Sequence, residues 1–142
     1  MVGAAVPATP LSHLRRTVPG MSDHASAVRQ YWATAEARDW DGFAALLADD
    51  IRYDIQQTGE TITGLARYLE FNRDYPGDWH LVVREVLVDG DRAVSRIEFT
   101  VDGETQHAIS FFSFAADGRI STILDYWPES YQAPPGREHL ID

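Results

Sequence analysis

Three short Asp-Gly steps, Asp89-Gly90-Asp91, Asp102-Gly103 and Asp117-Gly118, cut the second half of this chain into four pieces of strand length. Asp-Gly pairs supply the positive-φ positions of tight hairpin turns, so each step reverses the chain between neighbouring strands. The pieces run from Trp79 to Val88, Arg92 to Val101, Glu104 to Ala115 and Arg119 to Trp127. They predict a four-strand antiparallel meander. The first half keeps a different period. Val28, Tyr31, Trp32 and Ala35 recur at three- and four-residue spacing, one face of a helix from Asp23 to Arg38. Trp40, Phe43, Leu46 and Leu47 mark a short second helix, ended by Asp49-Asp50. Ile51, Tyr53 and Ile55 then alternate with Arg52, Asp54 and Gln56 as a strand. Thr63-Gly64 opens a third helix with Leu65, Tyr68 and Leu69 inward, and Pro76-Gly77 closes it. Helices first and a meander second predict an α+β domain, with helices covering one face of a sheet.

At 142 residues and 44% hydrophobic content, the chain has material for one globular core with a pocket. Residues 1–21, rich in Ala, Pro and Thr, are expected to form a disordered or extended arm. The domain is expected over 22–131. A tail follows over 132–142, carrying Pro134-Pro135 and packed loosely over an edge. There is no cysteine, which removes thiol nucleophiles, disulfides and thiolate metal sites. All 12 basic residues are arginine, which removes Schiff-base lysines and Walker-type phosphate loops. A net charge of -10 argues against nucleic acid as a partner. No apolar run is long enough to span a bilayer, and the first twenty residues lack a signal-peptide core. The expectation is a cytoplasmic protein without a membrane partner. No His-x-His or His-Glu-x-x-His spacing and no dinucleotide fingerprint occurs, so neither metal nor cofactor is expected. Carboxylates, histidine, tyrosine and arginine are left to do any chemistry.

The order of the motifs is specific. A helix, then Arg38-Asp39-Trp40-Asp41, then Leu47-Ala48-Asp49-Asp50 and a strand resembles the opening of the nuclear transport factor 2-like superfamily. Gly90-Asp91-Arg92-Ala93 and the closing run from Asp117-Gly118-Arg119-Ile120 to Tyr126-Trp127 resemble its SnoaL-like branch. The resemblance covers about Asp23 to Tyr131. It implies a cone-shaped fold in which three helices and a strongly curved, mostly antiparallel sheet enclose a pocket, commonly in a homodimer. It does not imply one activity, because the superfamily holds isomerases, dehydratases, cyclases, epoxide hydrolases and non-catalytic binders.

Arg96 and Glu98 stand two apart on one strand and share a face, and Asp125 on the last strand is expected to reach that face. A guanidinium between two carboxylates can hold them in unlike protonation states, one to activate water and one to donate a proton. This set resembles limonene epoxide hydrolase. The likeness makes Asp125 the base, Glu98 the acid and Arg96 the bridge, with Tyr53 at the water-positioning tyrosine. Ile55 and Ile123 stand where that family carries its other water ligands. The plain alternative is a structural ion pair of Arg96 with Asp125 or Glu98.

Glu36, His80 and His107 resemble the acid–base set of scytalone dehydratase, and His107 with Asp125 that of SnoaL-type cyclases. Tyr31 stands where ketosteroid isomerase carries its oxyanion tyrosine. That enzyme's base position is Ile55 here, and its second oxyanion acid falls near Ser110. The candidate catalytic residues are therefore Asp125, Glu98, Arg96, His107 and Tyr53. The candidate substrate-binding residues are Tyr31, Trp32, Ile55, His80, Phe112, Ile123 and Trp127.

The functional expectation is cofactor-independent acid–base chemistry on a small, largely apolar organic substrate. Epoxide hydrolysis ranks slightly above cyclisation, isomerisation or dehydration. The alternative is a hydrophobic-ligand-binding or dimeric scaffold domain of the same fold, without turnover.

Overall fold

The computed structural model describes residues 21–142. Helix α1 spans Met21–Ala37 and α2 spans Trp40–Ala45, followed by β1 (Leu47–Ile55) and β2 (Glu60–Thr63). Helix α3 (Leu65–Arg73) precedes the strands β3 (Trp79–Asp89), β4 (Arg92–Val101), β5 (Glu104–Phe114) and β6 (Ile120–Tyr126). The six strands form one sheet in the order β2-β1-β6-β5-β4-β3. All pairs are antiparallel except β1 with β6, which run parallel. The three helices, the four-strand meander and the α+β class follow the sequence expectation.

Three boundaries differ from it. The chain leaves α2 at Ala45, so Leu47 to Asp50 belong to β1 and not to a helix end. Leu47 pairs with Ile120 of β6, and the register shifts before Arg52. Tertiary pairing overrides the local helical spacing there. Strand β2 is unpredicted, since four residues with a half-buried Ile62 carry almost no periodic signal. The tail from Pro128 to Asp142 is exposed throughout, and Tyr131 and Leu140 project into solvent, so it does not pack over an edge. The expected arm over residues 1–21 lies outside the described residues, apart from Met21 at the start of α1.

Strand alternation decides which side chains reach the interior. In β4 the buried set is Ala93, Ser95, Ile97 and Phe99; in β5 it is Ala108, Ser110, Phe112 and Phe114. A register shift between Val83 and Glu85 keeps Val83 and Val86 turned towards the core, although they are an odd number of residues apart. Helix α1 covers this face with Val28, Tyr31, Trp32 and Ala35, all buried. At its end Arg38 takes a positive φ of 59°, and its guanidinium lies 3.4 Å above the Trp79 ring. Glu36 ties α1 to β3 by accepting hydrogen bonds from His80 Nδ1 (2.8 Å) and the Leu81 amide (2.9 Å). No helix among the described residues is long and apolar enough to cross a membrane.

Candidate active site

Among the described residues only three polar or charged side chains are buried: Ser95, Ser110 and Asp125. The sheet places them in one row. Asp125 of β6 is the partner of Ser110 in β5, which is the partner of Ser95 in β4. Each is satisfied. Ser110 Oγ donates to Asp125 Oδ1 at 2.6 Å, Tyr53 Oη donates to Asp125 Oδ2 at 2.5 Å, and Trp32 Nε1 donates to Ser95 Oγ at 2.9 Å. Buried polar groups without partners are costly, so this row is an arranged feature of an otherwise apolar interior.

Asp125 opens onto a cavity of about 340 Å³ between the sheet and the helices, within the size range of small-molecule pockets. Tyr31, Tyr53 and Tyr68 bring hydroxyl groups to its wall, and the Tyr31 and Tyr68 hydroxyls are hydrogen-bonded to each other. Burial pushes the Asp125 carboxyl up to about 6, against the pull of hydrogen bonds from Ser110, Tyr53 and the Trp127 side chain. The three phenols are all raised, by burial first and then by their charged or phenolic neighbours, Asp125 acting on each. At neutral pH the site therefore combines a carboxylate close to its titration point with three protonated phenols. That pairing suits proton transfer.

The expected Arg96–Glu98–Asp125 constellation is not assembled. Arg96 and Glu98 alternate with the buried Ser95, Ile97 and Phe99, so their side chains leave the opposite face of the sheet. Arg96 Nε donates to Glu85 there (3.2 Å), and Arg84 is hydrogen-bonded to Glu98. His107 is the cross-strand partner of Glu98 on that outer face, away from Asp125. Tyr53 is placed against Asp125 as expected.

Of the expected binding residues, Tyr31, Trp32, Ile55 and Trp127 line the cavity. His80 does not. It is exposed between Glu36 and Asp78, and its pKa is raised by the hydrogen bond with Glu36. Phe112 and Ile123 are fully buried behind the wall, Phe112 packing edge-on against Tyr31. Tyr68, Phe71 and Tyr75 also line the cavity, and sequence reasoning does not single them out as site residues. Their spacing along and beyond α3 signals an aromatic face, but the sequence does not say that it looks onto a cavity. No cluster of His, Cys, Asp and Glu suited to a metal occurs among the described residues.

The SnoaL-like domain family matches residues 28–123. A candidate ketosteroid isomerase from Kribbella flavida is similar over 85% of this chain and 89% of its own, at 45% identity and a TM-score of 0.82. An LEH-like epoxide hydrolase from M. tuberculosis is similar over 75% of this chain and 84% of its own, at 20% identity and a TM-score of 0.63. A candidate polyketide cyclase from Sinorhizobium meliloti is similar over 70% and 93%, at 21% identity and a TM-score of 0.63. The last two likenesses show the fold alone. None of the curated proteins matches. With its helices, mixed six-strand sheet and matched domain, the chain belongs to the SnoaL-like family of the nuclear transport factor 2-like superfamily.

Proposed function

We propose that the protein is a cofactor-independent acid–base enzyme that moves a proton next to the carbonyl group of a small, largely apolar molecule. The observation that carries this is a register relationship: Ile55 and Asp125 are directly paired across the parallel β1–β6 ladder, and both line the cavity. By the family resemblance, position 55 is where an isomerase holds its base. The carboxylate absent at Ile55 is supplied from the neighbouring strand. In the forward step Asp125 takes the C–H proton, and the released electron pair moves onto the carbonyl oxygen. A hydroxyl of the Tyr31–Tyr68 pair donates to that oxygen, because only one hydroxyl proton is used between the two phenols. The Asp125 carboxylic acid then returns the proton to a second carbon. The 45% identical Kribbella flavida protein supports an isomerase-type reaction. Epoxide hydrolysis is less well supported, because the acid that the resemblance assigns to it, Glu98, is on the other side of the sheet, and the cavity's other carboxylates, Glu60 and Glu129, are exposed.

Deuterium exchange tests the reading. Androst-5-ene-3,17-dione and cyclohex-3-enone in D2O are expected to gain deuterium, and to isomerise, with wild-type protein and not with Asp125→Asn. Hydrolysis of limonene oxide without any exchange would overturn it, as would equal exchange by the variant. The same reading includes a homodimer formed through the outer sheet face, where Val82, Leu87 and Phe111 remain exposed. Light scattering is expected to give the mass of two chains, and Phe111→Asp the mass of one.

A further inference from the structure

The cavity wall carries a belt of aromatic rings. Tyr53, Phe71, Tyr75, Phe99 and Trp127 follow one another with ring-centroid spacings of 5.5, 5.9, 5.8 and 5.3 Å. At one end of the series Tyr53 donates to the Asp125 carboxylate, and Asp125 and Trp127 line the same cavity. Every ring in the belt lines the cavity. Among the described residues, the cavity's other carboxylates are Glu60 and Glu129, both exposed, and no arginine or histidine lines it. Asp125 itself is 3% exposed and is held by the Tyr53 and Ser110 hydroxyl groups, with no cation beside it among the described residues. Arg38 stacks on Trp79, which is outside the belt, and does not line the cavity.

When ionised, Asp125 has no counter-charge among the described residues that line this aromatic cavity. Burying a carboxylate without a counter-charge is costly, and an alkylammonium group offsets that cost while gaining attraction from the surrounding rings. We propose that the cavity binds a ligand bearing a tertiary or quaternary alkylammonium group, seated within the belt with Asp125 as its counter-ion. An apolar cationic head fits here better than a primary amine. The wall offers aromatic surface on several sides and one buried carboxylate whose two oxygens already accept hydrogen bonds, whereas a primary ammonium asks for three. The inference concerns binding, and it stands whether or not Asp125 transfers a proton.

Paired isosteres separate charge from shape. Calorimetry on the full chain would compare choline with 3,3-dimethylbutan-1-ol and phenyltrimethylammonium with tert-butylbenzene. Within each pair a carbon replaces the charged nitrogen. The ammonium member is expected to bind about tenfold more tightly or better. In proton–nitrogen NMR it should shift the Trp127 indole signal and leave that of Trp40, which lies outside the cavity, in place. Equal affinity within the pairs would overturn the proposal, as would tighter binding of the neutral members, no binding of either, or no shift at Trp127. Asp125→Asn and Phe99→Leu are each expected to narrow the difference between isosteres. Because wild-type protein alone decides the matter, poor folding of a variant leaves the test intact. Deuterium exchange on neutral ketones can succeed or fail independently of this result, so the two readings are distinguishable.

Discussion

Tyr53 Oη donates a 2.5 Å hydrogen bond to Asp125 Oδ2 from two positions along the parallel β1–β6 ladder, while Ile55 occupies the place directly opposite the carboxylate. The tyrosine reaches along the strand and the isoleucine keeps the space above the acid apolar. A carboxyl group in that setting is disfavoured as an anion by burial and rescued in part by its hydrogen bonds, which leaves it titrating near 6.

This titration is expected to show in both rate and stability. Activity is expected to rise as pH increases through about 6, because the base must be ionised. Stability moves the other way. Folding raises this carboxyl from 3.8 to about 6, so its contribution is complete below pH 4 and is lost as pH rises through 6. Asp125→Asn removes that slope. Relative to wild type, the variant is expected to gain up to about 3 kcal/mol between pH 4 and pH 7 while losing turnover. Urea titrations at both pH values measure the difference.

Tyr53→Phe removes a donor that lowers the Asp125 pKa. The acidic limb of the pH–rate profile is expected to move to higher pH, and the fold to lose about 1–2 kcal/mol with the hydrogen bond. A limb that stays in place would show that the carboxylate does not depend on this tyrosine.

Arg96→Gln, Glu98→Gln and His107→Gln act on the outer sheet face, on the far side of the sheet from Asp125. Turnover measured beside Asp125→Asn is expected to remain at the wild-type level in all three. A loss in Glu98→Gln comparable to that of Asp125→Asn would restore the two-carboxylate arrangement expected from the sequence.

Ser95→Ala leaves the Trp32 indole N–H without its acceptor behind the cavity wall. The expected cost is about 1–3 kcal/mol, the penalty for an unpaired buried donor, read from denaturant unfolding. Ser95→Thr keeps an acceptor and is expected to recover part of it if the extra methyl fits.

The meander, the three helices and the family are legible in the sequence, because Asp-Gly turns, two-residue alternation and helical spacing are local signals. The sequence also held more of the site than the spacing argument for Arg96 and Glu98 used. In β4, alternation groups Ser95 with Ala93, Ile97 and Phe99, and that apolar company already assigns Arg96 and Glu98 to the other face. Which residues meet across the sheet was decided only by the tertiary structure. The parallel β1–β6 pair brings Tyr53 and Ile55 to Asp125 across some seventy residues of chain, and the pairing of β5 with β6 sets Ser110 beside it. Nor does any local signal say that Phe71 of α3 and Tyr75 beyond it continue through Phe99 to Trp127. Register between distant strands, and the cavity it leaves, depend on the packing of the whole core, so no short stretch of sequence encodes them.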